Sequence, residues 1–114
     1  MSFFDSEFVR AEMAEIQELQ EEVYSNVFKF AIMNNEDQLY HIDLLEKLME
    51  KQSVLYTRLS LSDDPETDKM MERIRKGVED LGFPTNVDVN VVFKQMNDAI
   101  TLMRHKIDKT SPDV

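Results

Sequence analysis

Acidic side chains are the residues of this 114-residue chain best suited to holding a metal ion. Glutamates recur at every third position of the first apolar-periodic segment: Glu12, Glu15, Glu18 and Glu21. Residues three apart share a helix face, so two such carboxylates could bind one Mg²⁺, as in all-helical nucleotide pyrophosphohydrolases. Those enzymes pair Glu-x-x-Glu with Glu-x-x-Asp, which this chain lacks, and the nearest match is the reversed Asp43-x-x-Glu46. We therefore interpret the glutamates as a solvated helix face.

Histidines and nucleophiles offer less chemistry. His41 and His105 follow Gln38 and Leu102 at the third position, so the Glu-x-x-His motif of di-metal sites is absent. We expect both histidines to lie on the surface. The chain has no cysteine, and two glycines cannot build a phosphate-cradling loop. These observations predict no catalytic residue, no metal ligand and no bound cofactor.

Contacts with a protein partner are the remaining use for these residues. The acids opposite the apolar stripe of the first helix could meet a basic partner: Glu12, Glu15, Glu18 and Glu22. Four aromatic residues do not all fit that stripe: Phe3, Phe4, Phe8 and Phe28. They either pack at the ends of the helices or anchor a dimer or partner contact, where aromatic side chains are enriched.

Apolar residues spaced four and three apart predict helices that position these groups. The first helix is expected from an N-cap at Asp5 to about Phe30, and the second from near Asn35 to about Ser60. The stripe of the first helix comprises Val9, Met13, Ile16, Val23, Val27 and Phe30. Gln20 fills the one position of this stripe that is not apolar.

Two shorter helices follow. Asp64 is the expected N-cap of the third helix, with Pro65 at its first position and Gly82 at its end in a Schellman motif. The fourth helix should start at Asp88, or at Thr85 as an alternative cap. Gly77 lies inside the third helix at a cost of about 1 kcal/mol, and we expect it to allow close packing on a neighbour.

The predicted fold is all-α: an elongated helical hairpin plus two shorter helices, similar to a four-helix bundle. Two helices of about 25 residues are roughly 37 Å long, which is long for one small chain. A second copy would cover the apolar face that such a hairpin leaves open, so we predict a homodimer. We expect one domain over residues 1–114, with a tail that frays from about residue 109.

The charge of the chain narrows the choice of partner. A formal net charge of −10 opposes direct binding to DNA or RNA. An acidic mimic of DNA is a third hypothesis, but the lysines and arginines spread over residues 66–109 weigh against it.

No apolar run approaches the length of a membrane span, and the lack of cysteine fits a reducing compartment. We therefore expect a cytoplasmic protein without a membrane partner.

Several stretches of the chain resemble a family of short proteins of unknown function, DUF1825-like, from marine cyanobacteria and the phages that infect them. The stretches are Phe3–Glu7, Glu18–Tyr24, His41–Glu46, Tyr56–Pro65 and Leu81–Pro84. The resemblance implies a cytosolic setting in a cyanobacterium or a cyanophage and assigns no catalytic residue. The sequence thus predicts a non-catalytic helical protein–protein interaction or regulatory module. The alternative is a magnesium-dependent all-α nucleotide pyrophosphohydrolase.

Overall fold

The computed structural model describes residues 3–84 and 86–109, and this part of the chain is helical without a β-strand. The four α-helices are α1 (Glu7–Val27), α2 (Asn35–Ser60), α3 (Pro65–Asp80) and α4 (Val89–Lys109). A 3₁₀ turn over Phe3–Asp5 precedes α1, and a second over Phe30–Ile32 joins α1 to α2. The predicted all-α fold is confirmed. The tail that was expected to fray and the alternative cap Thr85 lie outside the described residues.

The two long helices begin at caps one residue away from the predicted ones. Ser6, not Asp5, caps α1, because the first 3₁₀ turn takes up Asp5 and the Ser6 hydroxyl accepts the Val9 N–H at 3.4 Å. Asn34, not Asn35, caps α2 by accepting the Asp37 N–H at 2.8 Å. The helix α1 stops before Phe30 because the chain turns there into the second 3₁₀ segment.

Both caps of α3 match the prediction. Asp64 accepts the Glu66 N–H at 3.0 Å through Oδ1, and its Oδ2 accepts the Phe3 N–H at 2.7 Å. At the other end Gly82 has φ 97°, a left-handed conformation that a glycine adopts without steric cost. The N–H of Phe83 then reaches the Val78 carbonyl at 3.3 Å, which completes the predicted Schellman motif.

The fourth helix starts as predicted, since the Asp88 carboxylate accepts the Asn90 N–H at 2.9 Å. Helix α2 lies at the centre of the molecule, with α1 packed along one side and α4 along the other. The shorter α3 crosses one end and contacts α2 and α4. The molecule measures 53 × 32 × 21 Å, so the expected elongated shape is confirmed.

Three apolar clusters hold the helices together. The α1–α2 seam buries Ile16, Leu19, Val23, Leu44 and Leu48. The α2–α4 seam buries Ile42, Met49, Ile100 and Ile107, with Phe30 packed against them. The third cluster joins α3 to the start of α4 through Val78, Val89 and Val92. Among the described residues, no helix combines the length and apolar character needed to cross a bilayer.

Candidate functional site

An open apolar groove of about 840 Å³ lies over α2, between α1 and α4, with α3 across one end. It arises because α1 and α4 pack mainly on α2 and leave the space between them unfilled. Side chains from all four helices and from the first 3₁₀ turn line it, including Phe3, Phe4, Met13, Met49, Met70 and Met96. The groove is therefore a candidate for a binding surface.

The groove lining is uncharged. None of the described residues that line it is an acid, a lysine or an arginine, although 32% of the chain is charged. Its polar side chains are three glutamines, Gln17, Gln20 and Gln52, and the half-buried Tyr56. Unbranched methionines adapt to irregular apolar shapes. The groove therefore favours an apolar ligand and offers no cation to a phosphate group.

Two adjacent faces of α1 explain why the sequence forms this groove. Ile16, Leu19 and Val23 point at α2 and are buried. Met13, Gln17 and Gln20 follow one another four and three residues apart on the neighbouring face, which lines the groove. The predicted stripe of α1 mixes members of both faces, because the two faces differ by only about a quarter of a helical turn.

Gly77 lies on the α3 wall of the groove. A Cβ atom built on it would meet no atom within 4 Å, so the expectation of close packing on a neighbour is wrong. The physical reason is that α3 crosses an open groove at this point instead of lying on another helix. The missing side chain leaves room that no group of residues 3–84 and 86–109 fills.

The Glu-x-x-Glu pair of α1 binds a lysine from α2. Lys51 Nζ lies 3.4 Å from Glu12 Oε2 and 2.5 Å from Glu15 Oε2. The hydrogen bond from Lys51 and its positive charge lower the pKa of Glu15, and the bond to Glu15 raises the pKa of Lys51. The spacing does direct two carboxylates at one cation, but that cation is a side chain of the same chain.

The reversed pair Asp43-x-x-Glu46 on α2 does the same with an arginine of α4. Arg104 Nη2 lies 2.6 Å from Asp43 Oδ1 and 2.8 Å from Glu46 Oε1. Hydrogen bonds to Asp43 and then Glu46 raise the pKa of Arg104. Over residues 3–84 and 86–109, no three acids or histidines gather where a metal ion would be held.

The predicted acidic face does not form one continuous surface. Glu12 and Glu15 turn toward α2, as described above, and Glu22 accepts a hydrogen bond from the Tyr40 hydroxyl at 3.1 Å. That bond to Glu22 raises the pKa of Tyr40. Glu18 is exposed. Three of the four glutamates therefore serve the contact between α1 and α2.

The four phenylalanines divide into three environments. Phe3 and Phe4 line the groove, with their rings edge to face at 5.2 Å between centroids. Phe8 lies under the Arg58 guanidinium, 4.1 Å from its carbon to the ring centroid. Phe28 is 95% exposed just after α1. Sequence reasoning singled out Phe28 but missed its exposed neighbour Tyr24, which is one turn earlier on the same helix face.

The expected surface position of His41 is wrong, because this residue is buried at the end of α2 opposite α3. Its ring lies 5.3 Å from the Phe30 ring, and Nδ1 has no hydrogen-bond partner among the described residues. Burial lowers the pKa of His41. The 3₁₀ turn that carries Phe30 covers this histidine, which helical spacing alone could not reveal. His105 is exposed on α4, as expected.

Comparison with known proteins identifies a family whose description names no activity. Residues 1–107 match the family described as Domain of unknown function (DUF1825). No curated protein and no solved structure matches the chain. The match includes all four helices except the last two residues of α4. The description names no reaction or ligand, so the function has to be argued from the surface of the molecule itself.

Proposed function

Because the chain belongs to the DUF1825 family, whose function is unknown, we propose from its own surface that it is a non-catalytic helical protein–protein interaction module. The uncharged groove over α2 is the observation that carries this proposal. An apolar helical segment of a protein partner lies in the groove and covers its methionines. The module acts by binding, and its regulatory effect depends on what occupies the groove.

The dimensions and chemistry of the groove support a helical ligand. An α-helix with side chains is about 10–12 Å wide, and amphipathic helices bind in apolar grooves through residues three and four apart. Methionine-rich walls suit such partners because the side chains adapt to different shapes. A nucleotide needs cationic groups at its phosphates, and the lining provides none. The acidic pairs that resemble half of a magnesium site are already bound to Lys51 and Arg104.

Gly77 supports the proposal from the side of the backbone. A glycine inside a helix is destabilising by about 1 kcal/mol relative to alanine. No atom of the described residues lies within 4 Å of the Cβ position there. A ligand that approaches the α3 backbone closely would use that space. Of the predicted contact residues, we propose that Phe3 and Phe4 touch the ligand, whereas Glu12 and Glu15 stabilise the α1–α2 seam.

We further propose that the module acts in the cytoplasm of a cyanobacterium or of a cell infected by its phage. The absence of cysteine is compatible with that reducing compartment. The sequence resemblance described above supports the biological source.

Affinity capture with a blocked groove tests the proposed function. The Gly77→Trp variant places an indole in the free space beside α3, while Lys76→Trp adds the same indole at an exposed position outside the groove lining. We expect the original chain and Lys76→Trp to retain the same proteins from a lysate, and Gly77→Trp to lose them. If every retained protein also binds Gly77→Trp, the groove is not the binding surface.

A further inference from the structure

We propose that the ligand of the groove is a second copy of this chain, bound antiparallel along α1 with the two-fold axis at Gln20. This inference rests on the proposed function, because it names the partner of the same groove. In the dimer, Tyr24 and Phe28 of one copy lie over the groove segment from Met13 to Gln17 of the other copy. The same contact occurs twice, as a two-fold axis requires.

The surface area of the chain supports a partner of this size. The molecule exposes 8271 Å², whereas a compact monomer of its mass exposes roughly 6500 Å². The excess is roughly 1800 Å², and a stable interface buries about 800 Å² on each partner. The radius of gyration of 16.3 Å also exceeds the value of about 13 Å for a compact chain of this length. The free chain thus has more uncovered surface than one interface needs.

Helix α1 has complementary halves on one face. From Met13 to Gln20 this face forms one wall of the groove, so a concave surface lies beside it. Four residues after Gln20, the same face continues as Tyr24, which is 68% exposed, and then as Phe28. A groove at one end and projecting aromatic side chains at the other end match each other when two copies run antiparallel. Large aromatic side chains are the usual anchors of such contacts.

Gln20 sits at the boundary between these two halves. It is half-buried in the groove lining, whereas Gln17, the other glutamine of this face of α1, is exposed. An amide side chain is both donor and acceptor, so Gln20 of one copy can bond to Gln20 of the other across a two-fold axis. A polar residue that meets its own copy in a helix seam fixes the register of a helix pair in this way.

Other ligands fit less well. A basic amphipathic helix of another protein would suit the net charge of −10, and it is an outcome of the test. For two copies, the exposed Glu21 beside the axis opposes association. Lys51 already pairs with Glu12 and Glu15, so these two acids add less to the repulsion between the copies.

Sedimentation equilibrium from low micromolar to near-millimolar protein tests the dimer. We expect a monomer–dimer equilibrium between 13.4 kDa and twice that mass. The Tyr24→Glu variant should raise the dimer dissociation constant about tenfold or more, because it removes an aromatic anchor. The matched control is Leu102→Glu, an exposed apolar residue of α4 outside the groove, which should leave the constant unchanged. Glu21→Gln should tighten the dimer by roughly twofold to fivefold.

Cysteine crosslinking tests the position of the axis. The chain has no cysteine, so Gln20→Cys introduces the sole thiol. Mild oxidation should convert this variant to a covalent dimer much faster than Ala99→Cys, which places a thiol on the exposed face of α4. Equal rates for the two variants would contradict an axis at Gln20.

The outcomes separate the two proposals. A chain that stays monomeric over the whole concentration range overturns the dimer, as does a dimer that Tyr24→Glu leaves intact. If the chain is monomeric but a basic protein binds it and is lost in Gly77→Trp, the groove function stands and only the second copy is rejected. A lower dimer dissociation constant for Glu21→Gln supports the dimer. A higher constant contradicts the predicted repulsion between the Glu21 side chains.

Discussion

The two ends of α2 have similar apolar side chains but differ in what covers them. At one end, Ile42 is fully buried between α4 and the 3₁₀ turn that carries Phe30. At the other end, Leu55 and Tyr56 form part of an open groove that α3 only crosses. A short 3₁₀ turn lies against the buried residues at the closed end, whereas at the open end the turn Phe3–Asp5 lines the groove without filling it. Apolar spacing therefore shows that a helix face will be covered, but it does not show which chain covers it.

The largest expected difference between the two ends is in the cost of truncating an isoleucine. Ile42→Ala should lower the free energy of unfolding by about 2–5 kcal/mol, because it leaves a cavity among buried neighbours. Ile74→Ala on the groove wall should cost less than half of that, since its side chain already faces open space. Urea unfolding at a concentration where the chain is monomeric measures both. Equal losses would mean that the groove end is as closed as the other.

The two glycines should respond to alanine with opposite signs. Gly82→Ala forces a Cβ into the left-handed conformation at the end of α3 and should cost about 1–2 kcal/mol. Gly77→Ala should stabilise the isolated chain by about 1 kcal/mol, because the helix gains and no atom clashes. Thermal unfolding of the two variants gives both values. Destabilisation by Gly77→Ala would show that this wall of the groove is tightly packed.

The closed end should make stability depend on pH through His41. Burial lowers the pKa of His41, so the unfolded chain binds a proton more readily than the folded chain. Stability should therefore be complete above the ordinary histidine pKa of about 6.5 and decrease as the pH falls below it toward the folded value. Urea unfolding across this range should show a smaller decrease in His41→Leu. The control His105→Gln, at an exposed position, should behave like the original chain.

The smallest expected effects are those of the ion pairs beside the two helix seams. Lys51→Met removes the cation shared by Glu12 and Glu15, and Arg104→Met removes the one shared by Asp43 and Glu46. Each variant should melt only slightly earlier, because ion pairs that are exposed or partly exposed to water contribute little. Added salt should reduce the difference from the original chain. A large loss for either variant would mean that its ion pair, and not the apolar seam, holds the helices together.

Local signals were the reliable part of the sequence. The caps Asp64 and Asp88 and the turn at Gly82 depend on groups within five residues, so the sequence alone predicts them. The burial of His41 and the free space at Gly77 depend on segments far along the chain, and both expectations were wrong. A 3₁₀ turn covers the histidine, while no described segment covers the glycine.

In the candidate site too, contacts between segments far apart in the chain could not be predicted from the sequence. The spacing of Glu12 and Glu15 correctly places both carboxylates toward one cation, but periodicity does not identify the cation as Lys51 of the next helix. The groove itself is a relation among four helices, and none of them shows it alone. The aromatic residue Phe28 was noticed because it did not fit the stripe, and it proved to be exposed.

The double use of Asp64 has a practical consequence for handling the protein. One carboxylate oxygen caps α3, and the other accepts a hydrogen bond from the backbone N–H of Phe3. This bond connects the α3 wall of the groove to the amino-terminal turn. A purification tag fused in front of Met1 would lie only two residues from the hydrogen bond between Phe3 and Asp64. Tags for binding assays therefore belong at the carboxyl terminus, beyond Lys109, where α4 ends away from α3.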